Sequence, residues 1–164
     1  MSIEPKQIRN MSMEAIIKRV SDMVNQREQF IMSGEVANLH VKLQQGNSKT
    51  GKSCWTVSLI PIADCMNCSG CRNTCYDIRN VCFQPNVRTD RARNSAIHKA
   101  DIKRFWDEVS LGIQYNCVTE LRLNVGGDLI YDDFFHIQRI ATENPKCDIL
   151  FFTKNYNALN VFLD

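Results

Sequence analysis

From Trp55 onward the chain alternates between short runs of β-formers and longer amphipathic stretches, and this order limits what it can fold into. Trp55-Thr56-Val57-Ser58-Leu59-Ile60 reads as a strand that stops at Pro61. After a cysteine-rich loop and the break Gln84-Pro85-Asn86, residues 88–113 carry Ile102, Phe105, Trp106, Val109 and Ile113 at helical spacing. Residues 119–125 read as a strand with Leu121, Leu123 and Val125 on one face, closed by Gly126-Gly127-Asp128. A helix is expected over 131–143, from Phe134, Ile137 and Ala141. A continuous apolar strand of the kind buried in parallel sheets is expected over 148–153, and a last helix over 157–164. Strands that alternate with helices pair in parallel, because each helix carries the chain back to the starting edge of the sheet. A closed eight-fold barrel needs roughly 200–250 residues, and this chain has room for about three or four β/α units. The expected fold class is therefore α/β, an open parallel sheet or partial β/α barrel with an N-terminal helix. That helix spans 12–31, where Ile16, Ile17, Val20, Met23 and Val24 make one apolar face ended by Ser33-Gly34. Residues 36–43 read as a further strand. The chain thus divides into a helical segment over 1–35 and an α/β domain over 36–164.

The chemistry concentrates in the loop after the first of these strands. Cys65, Cys68, Cys71 and Cys75 fall in the pattern C-x2-C-x2-C-x3-C. One loop so spaced aims several sulfurs at one centre, which suits a cubane iron–sulfur cluster. Structural zinc more often takes two separated knuckles and is the alternative here. Tyr76 rather than Pro follows the fourth cysteine and no second run exists, so a 4Fe-4S cluster would be the only one. If three of the four thiolates bind, one iron keeps an open position. In parallel α/β folds ligands sit at the C-terminal ends of the strands. The cysteine loop, Gly126-Gly127-Asp128 and Thr153-Lys154 all fall at such ends.

Other features narrow the function. A net charge of +2 does not call for a nucleic-acid partner. A basic stretch holding Arg88, Arg91, Arg93 and Lys103 is the candidate for phosphate contact, set against a solvated face tempered by Asp90 and Asp101. Gly46-Asn47-Ser48-Lys49-Thr50-Gly51-Lys52-Ser53 matches the phosphate-loop pattern, but that mechanism needs a helix directly after the lysine, and a strand pattern comes next. His40, His98 and His136 stand apart in the sequence and read as surface or satisfied core residues. No apolar run approaches the ~18 residues of a membrane span. The N-terminus lacks the basic region and apolar core of a signal peptide, so a cytoplasmic protein with reduced thiols is expected, free or as a homo-oligomer.

Short motifs in a fixed order carry a resemblance. Gly46-Asn47-Ser48-Lys49 precedes Ile60-Pro61; Cys71-x3-Cys75-Tyr76 leads to Pro85-Asn86-Val87-Arg88 and Arg93-Asn94; Gly127-Asp128 is followed by Ile140-Ala141, Pro145 and Phe152-Thr153-Lys154. Over residues 44–156 this resembles the phage gene product 88 family. More distantly, three cysteines after one strand and Gly126-Gly127-Asp128 after the next are similar to radical S-adenosylmethionine enzymes. The spacing order here is C-x2-C-x3-C over Cys68, Cys71 and Cys75, the reverse of theirs. That likeness implies a cluster with one open iron and S-adenosylmethionine as cofactor. Gly126, Gly127 and Asp128 would lie near its amino group, and Lys154 at the same rim. The two functions in view are a phage iron–sulfur protein of that architecture, and a non-enzymatic phage inhibitor with a structural metal that binds a host protein or nucleic acid.

Overall fold

A computed structural model describes residues 12–46, 51–66, 75–81 and 84–163. Cys68, Cys71 and Cys82 lie outside the described residues, as do residues 47–50 of the Gly46 to Ser53 turn.

The first helix, α1 (Met13–Met32), is capped by Ser12, whose hydroxyl accepts from the Ala15 amide, and it ends at Ser33 ahead of Gly34 at φ +76°. The stretch expected as a strand over 36–43 is instead a 3-10 helix, Glu35–Asn38, followed by irregular chain and the two-residue strand β1 (Gln44–Gln45). Its backbone groups find side chains rather than a ladder: Val41 N–H donates to Glu108 and Lys42 N–H to Asn94. β-Propensity in Val36, Leu39, Val41 and Leu43 is thus overridden by packing, since all four sit against the main core.

The sheet order is β1, β2 (Cys54–Val57), β3 (Glu120–Leu123), β4 (Asp148–Phe151). β1 runs antiparallel to β2; β2, β3 and β4 are parallel. Val57 stands beside Leu123 and Leu123 beside Phe151, so the three parallel strands end level. All three loops that leave those ends therefore emerge on one rim. The expected open α/β sheet with an N-terminal helix is what forms.

Between the strands run α2 (Tyr76–Val81), α3 (Pro85–Ala100), α4 (Ile102–Tyr115) and α5 (Tyr131–Glu143), and α6 (Tyr156–Leu163) comes after the sheet. The single helix expected over 88–113 is two. Asp101, at φ −155° and ψ +91°, closes α3 with its N–H on Ile97 and caps α4 by accepting from the Arg104 amide at 2.9 Å. A short carboxylate that can reach the backbone three residues on competes with helix continuation at its own position.

Trp55, Val57, Leu121, Leu123, Ile149 and Phe151 point to one face of the sheet and pack on Phe105, Trp106, Val109 and Ile113 of α4 and Phe134, Ile137 and Ile140 of α5. The alternate positions Thr56, Arg122 and Leu150 face the other way. β4 differs from expectation here. It is the edge strand beyond β3, and Leu150 and Phe152 are exposed, so an apolar run need not mean burial on both faces. A second cluster joins Ile16 and Met23 of α1 to Ile60, Ile78, Val81 and Ala92. The N-terminal helix is thereby part of the same packed body as the elements after residue 36.

Candidate functional site

The loop after β2 is held rigidly where the cysteine run begins. Ile62 adopts φ +69°, a left-handed conformation that a β-branched side chain rarely takes and that costs roughly 1–3 kcal/mol. The turn around it is closed by Asp64 N–H on the Ile60 carbonyl at 3.0 Å. Asp64 then anchors the turn on three sides. One carboxylate oxygen takes Arg27 of α1 at 2.7 Å, the other takes the Ile60 amide at 2.8 Å, and the Asp64 carbonyl accepts from the Asp128 amide at 2.9 Å. Arg27 also reaches Ser95 of α3 at 3.2 Å. The first helix thus positions Cys65 through Arg27, a role that sequence spacing does not signal.

At the level strand ends a cleft of about 510 Å³ opens. Cys65 and Cys75, the first and last cysteines of the run, both line it and are both half-buried. Gly126, Gly127, Asp128 and Lys154 line it too, so every cofactor-binding position expected from sequence meets the two described cysteines in one cavity. Among the described residues no three His, Cys, Asp or Glu side chains converge as a metal-holding group, and two of the four motif cysteines fall outside that description.

The two glycines have packing reasons of their own. A Cβ on Gly126 would lie 2.0 Å from Asp77 Oδ2 and 3.1 Å from the Leu59 carbonyl oxygen. Gly127 has φ +83°, and a Cβ there would lie 2.8 Å from Leu59 Cβ. Gly126 and Gly127 let the β3 end, the β2 end and α2 close on one another, with the Leu59 amide donating to the Gly126 carbonyl at 2.9 Å. Asp128 is buried, and its carboxylate already accepts from the Leu129 amide (2.8 Å), the Thr153 hydroxyl (2.6 Å) and the Lys154 amide (3.0 Å). It staples the loop after β3 to the loop after β4. A carboxylate offers about four acceptor sites, so roughly one remains for a ligand.

Asp77, on α2, belongs to no motif in the sequence, yet it is central to the cleft. It is 4% exposed, faces the cavity, and holds Arg91 of α3 by one contact at 3.1 Å. Its Oδ2 is buried with no partner among the described residues. Burial pushes the Asp77 carboxyl above its usual range against the pull of Arg91 and then Arg122, and burial likewise lowers Arg91. Arg122 of β3 completes the floor. Its Nε is buried without a partner among the described residues, and its guanidinium lies 5.7 Å from the centre of the Phe152 ring.

The four basic residues expected to contact phosphate do not form one exposed face. Arg91 is buried on Asp77, while Arg93 lies 3.5 Å from Asp90 with little of its side chain exposed. Arg88 donates to the Val81 carbonyl, and Lys103 is exposed but sits 2.6 Å from Asp107. α3 turns its arginines inward because it is packed between α1 and α4, so a run of positive charge in sequence becomes a set of local pairs. The isolated histidines divide as well. His98 is bound to Asp133 at 2.7 Å, and Asp133 also takes the Trp106 indole at 2.8 Å and the Ile130 amide at 2.8 Å. This buried tripod ties α3, α4 and α5 together. Lys52 and Ser53 lead directly into the strand β2, so the phosphate-loop pattern lacks the helix it requires.

Residues 32–163 match the family model described as Gene product 88. No curated protein and no solved structure matches. None of the helices among the described residues is long and apolar enough to cross a membrane.

Proposed function

The chain belongs to the gene product 88 family, and on that premise we propose that it is a phage cysteine-ligated metal protein in which Cys65, Cys68, Cys71 and Cys75 hold one iron–sulfur cluster beside the cleft. The observation that carries this reading is that the two described ends of the run, Cys65 and Cys75, line the same cavity at the ends of three level parallel strands. Sulfurs at both ends of an eleven-residue loop that face one space suit a shared centre better than independent thiols do.

Were three of the four thiolates the ligands, the bound cluster would keep an open iron able to take a ligand and pass electrons to it. The residues around it have defined tasks. Arg27 and Asp64 fix the approach of Cys65, and Asp128 and Thr153 hold the facing loop. S-Adenosylmethionine is the cofactor suggested by the likeness to radical enzymes, with Gly126, Gly127, Asp128 and Lys154 as its contacts. Asp128 would then receive an ammonium with the acceptor capacity left beyond its three present donors. The reducing cytoplasm of a host cell is the compartment such thiolates need.

Anaerobic purification with iron, sulfide and zinc quantitation tests the centre. We expect brown protein with broad visible absorption, lost in Cys71→Ser and Cys75→Ser and kept in Cys117→Ser, whose sulfur is exposed outside the cleft. Addition of S-adenosylmethionine should perturb the magnetic resonance spectrum of the reduced cluster. Colourless protein with one zinc would replace the cluster by a structural site. The protein would then be read as a non-enzymatic phage factor whose activity lies in binding a host protein or nucleic acid.

A further inference from the structure

The cleft has two unlike walls. The cysteines enter from the loop after β2, while the opposite side is built by the ends of β3 and β4 and the start of α6. We infer that this second wall is a binding site for a nucleoside phosphate, with the base laid against Phe152 and Tyr156 and the phosphate held by Arg122. The inference goes beyond the metal reading and does not depend on it, since none of these residues is a cysteine ligand.

Three aromatic side chains that line the cleft stand in water: Tyr76 is 71% exposed, Phe152 66% and Tyr156 63%. Exposed rings grouped on one cavity rim are the usual platform for a flat ring, because every base has a π-face to stack. Beneath them Arg122 forms no hydrogen bond or ion pair among the described residues, and its Nε is cut off from water. A half-buried guanidinium that feels Asp77 only through space, with no hydrogen-bonded anion among the described residues, is an incomplete pair, and its planar fork fits a phosphate. Phe152 stacks on Arg122 at 5.7 Å, so ring and cation already form one surface. Asp77 also lines the cleft, but its buried Oδ2 is turned against Gly126, so it adds no ready acceptor for the ligand. The cavity of about 510 Å³ lies in the range that small ligands fill. A small inorganic anion would leave the aromatics unused, and a neutral ring would leave Arg122 unpaired; a nucleoside phosphate answers both.

The same chemistry arrives as a free nucleotide or as the 5′ end of a single strand. Calorimetric titration of the full chain with dAMP, deoxyadenosine, inorganic phosphate and a 5′-phosphorylated tetradeoxyadenylate separates these sources. We expect dAMP to bind at least tenfold tighter than deoxyadenosine or phosphate alone. Arg122→Gln and Phe152→Ala should each weaken dAMP by about tenfold or more, in line with the loss of a charged contact or a stacked base. Tyr131→Ala, an exposed aromatic outside the cleft, should leave binding unchanged. Should Arg122→Gln fail to fold, Tyr156→Ala on the exposed start of α6 gives the same test. The tetranucleotide binding tighter than dAMP assigns the site to strand ends, and equal or weaker binding assigns it to free nucleotide. No heat with millimolar dAMP, or equal affinity in wild type and both cleft variants, overturns the inference. Metal assayed in the same samples separates the two readings. Nucleotide binding without metal removes only the cluster, and metal without nucleotide binding removes only this site.

Discussion

Gly126→Ala should unfold this protein far more readily than a single added methyl suggests, and the reason is Asp77. The new Cβ would sit 2.0 Å from Asp77 Oδ2, 3.1 Å from its Cγ and 3.1 Å from the Leu59 carbonyl oxygen. The backbone on the Leu59 side cannot retreat without breaking its bond to the Gly126 carbonyl, so the carboxylate must swing away. Doing so breaks the contact with Arg91, whose side chain is 6% exposed, against 4% for that of Asp77. Parting a buried pair costs roughly 3–5 kcal/mol, because each group is left without a partner or water. With a urea m-value of about 2 kcal/mol per molar, the unfolding midpoint should fall by about 2 M. The background that isolates the cause is Asp77→Ala with Arg91→Met, in which apolar groups replace the pair and such replacement is often neutral. There Gly126→Ala should cost no more than about 1 kcal/mol, the crowding left by the Leu59 carbonyl. Urea denaturation of the four variants at pH 7 closes the cycle. Equal cost of Gly126→Ala in both backgrounds would refute the argument and place the glycine requirement in the backbone.

Two further outcomes follow, the first from the same geometry and the second from the strand β2. Because burial raises the Asp77 carboxyl above its ordinary 3.8, the folded state holds that proton more tightly than the unfolded chain. The stability of wild type relative to Asp77→Ala with Arg91→Met should thus be greatest below about pH 4 and fall as pH rises through the raised value. Glu28 and Glu143, lowered by their partners, act in the opposite sense in both proteins and cancel in the difference. A flat or rising difference across that window in urea midpoints would contradict the assignment. Separately, Lys52→Ala should leave the protein without change in nucleotide affinity and wild type should show no ATP or GTP hydrolysis, since β2 stands where a phosphate-binding helix would be; lost affinity by calorimetry would reverse that reading.

Local signals in the sequence carried the element types and their order. Periodicity placed α1, α5 and the three parallel strands, because a side chain's face follows from helical or strand geometry alone. Placing Cys65, Cys75, Gly126, Asp128 and Lys154 on one rim needed only the general rule about strand ends in parallel sheets, and the level register of β2, β3 and β4 brings them together. The cysteine spacing, read without any coordinates, is the sequence's ground for the proposed metal centre. Tertiary structure alone decided the choices made by partners distant in sequence. The break of the long helix at Asp101 is the exception, a local cap on the amide three residues on that the apolar spacing masked. Residues 36–43 give up strand pairing because Glu108 and Asn94 meet their amides. The basic run on α3 is dismantled by Asp77 and Asp90, and His98, isolated in the sequence, becomes part of a tripod with Asp133 and Trp106. Asp77 meets Gly126 across about fifty residues of chain, and no local pattern encodes a contact between a short helix and a strand end that only the closed fold brings within 4 Å. Burial, and with it which charges pair and which remain open to a ligand, is a property of the packed body rather than of any segment.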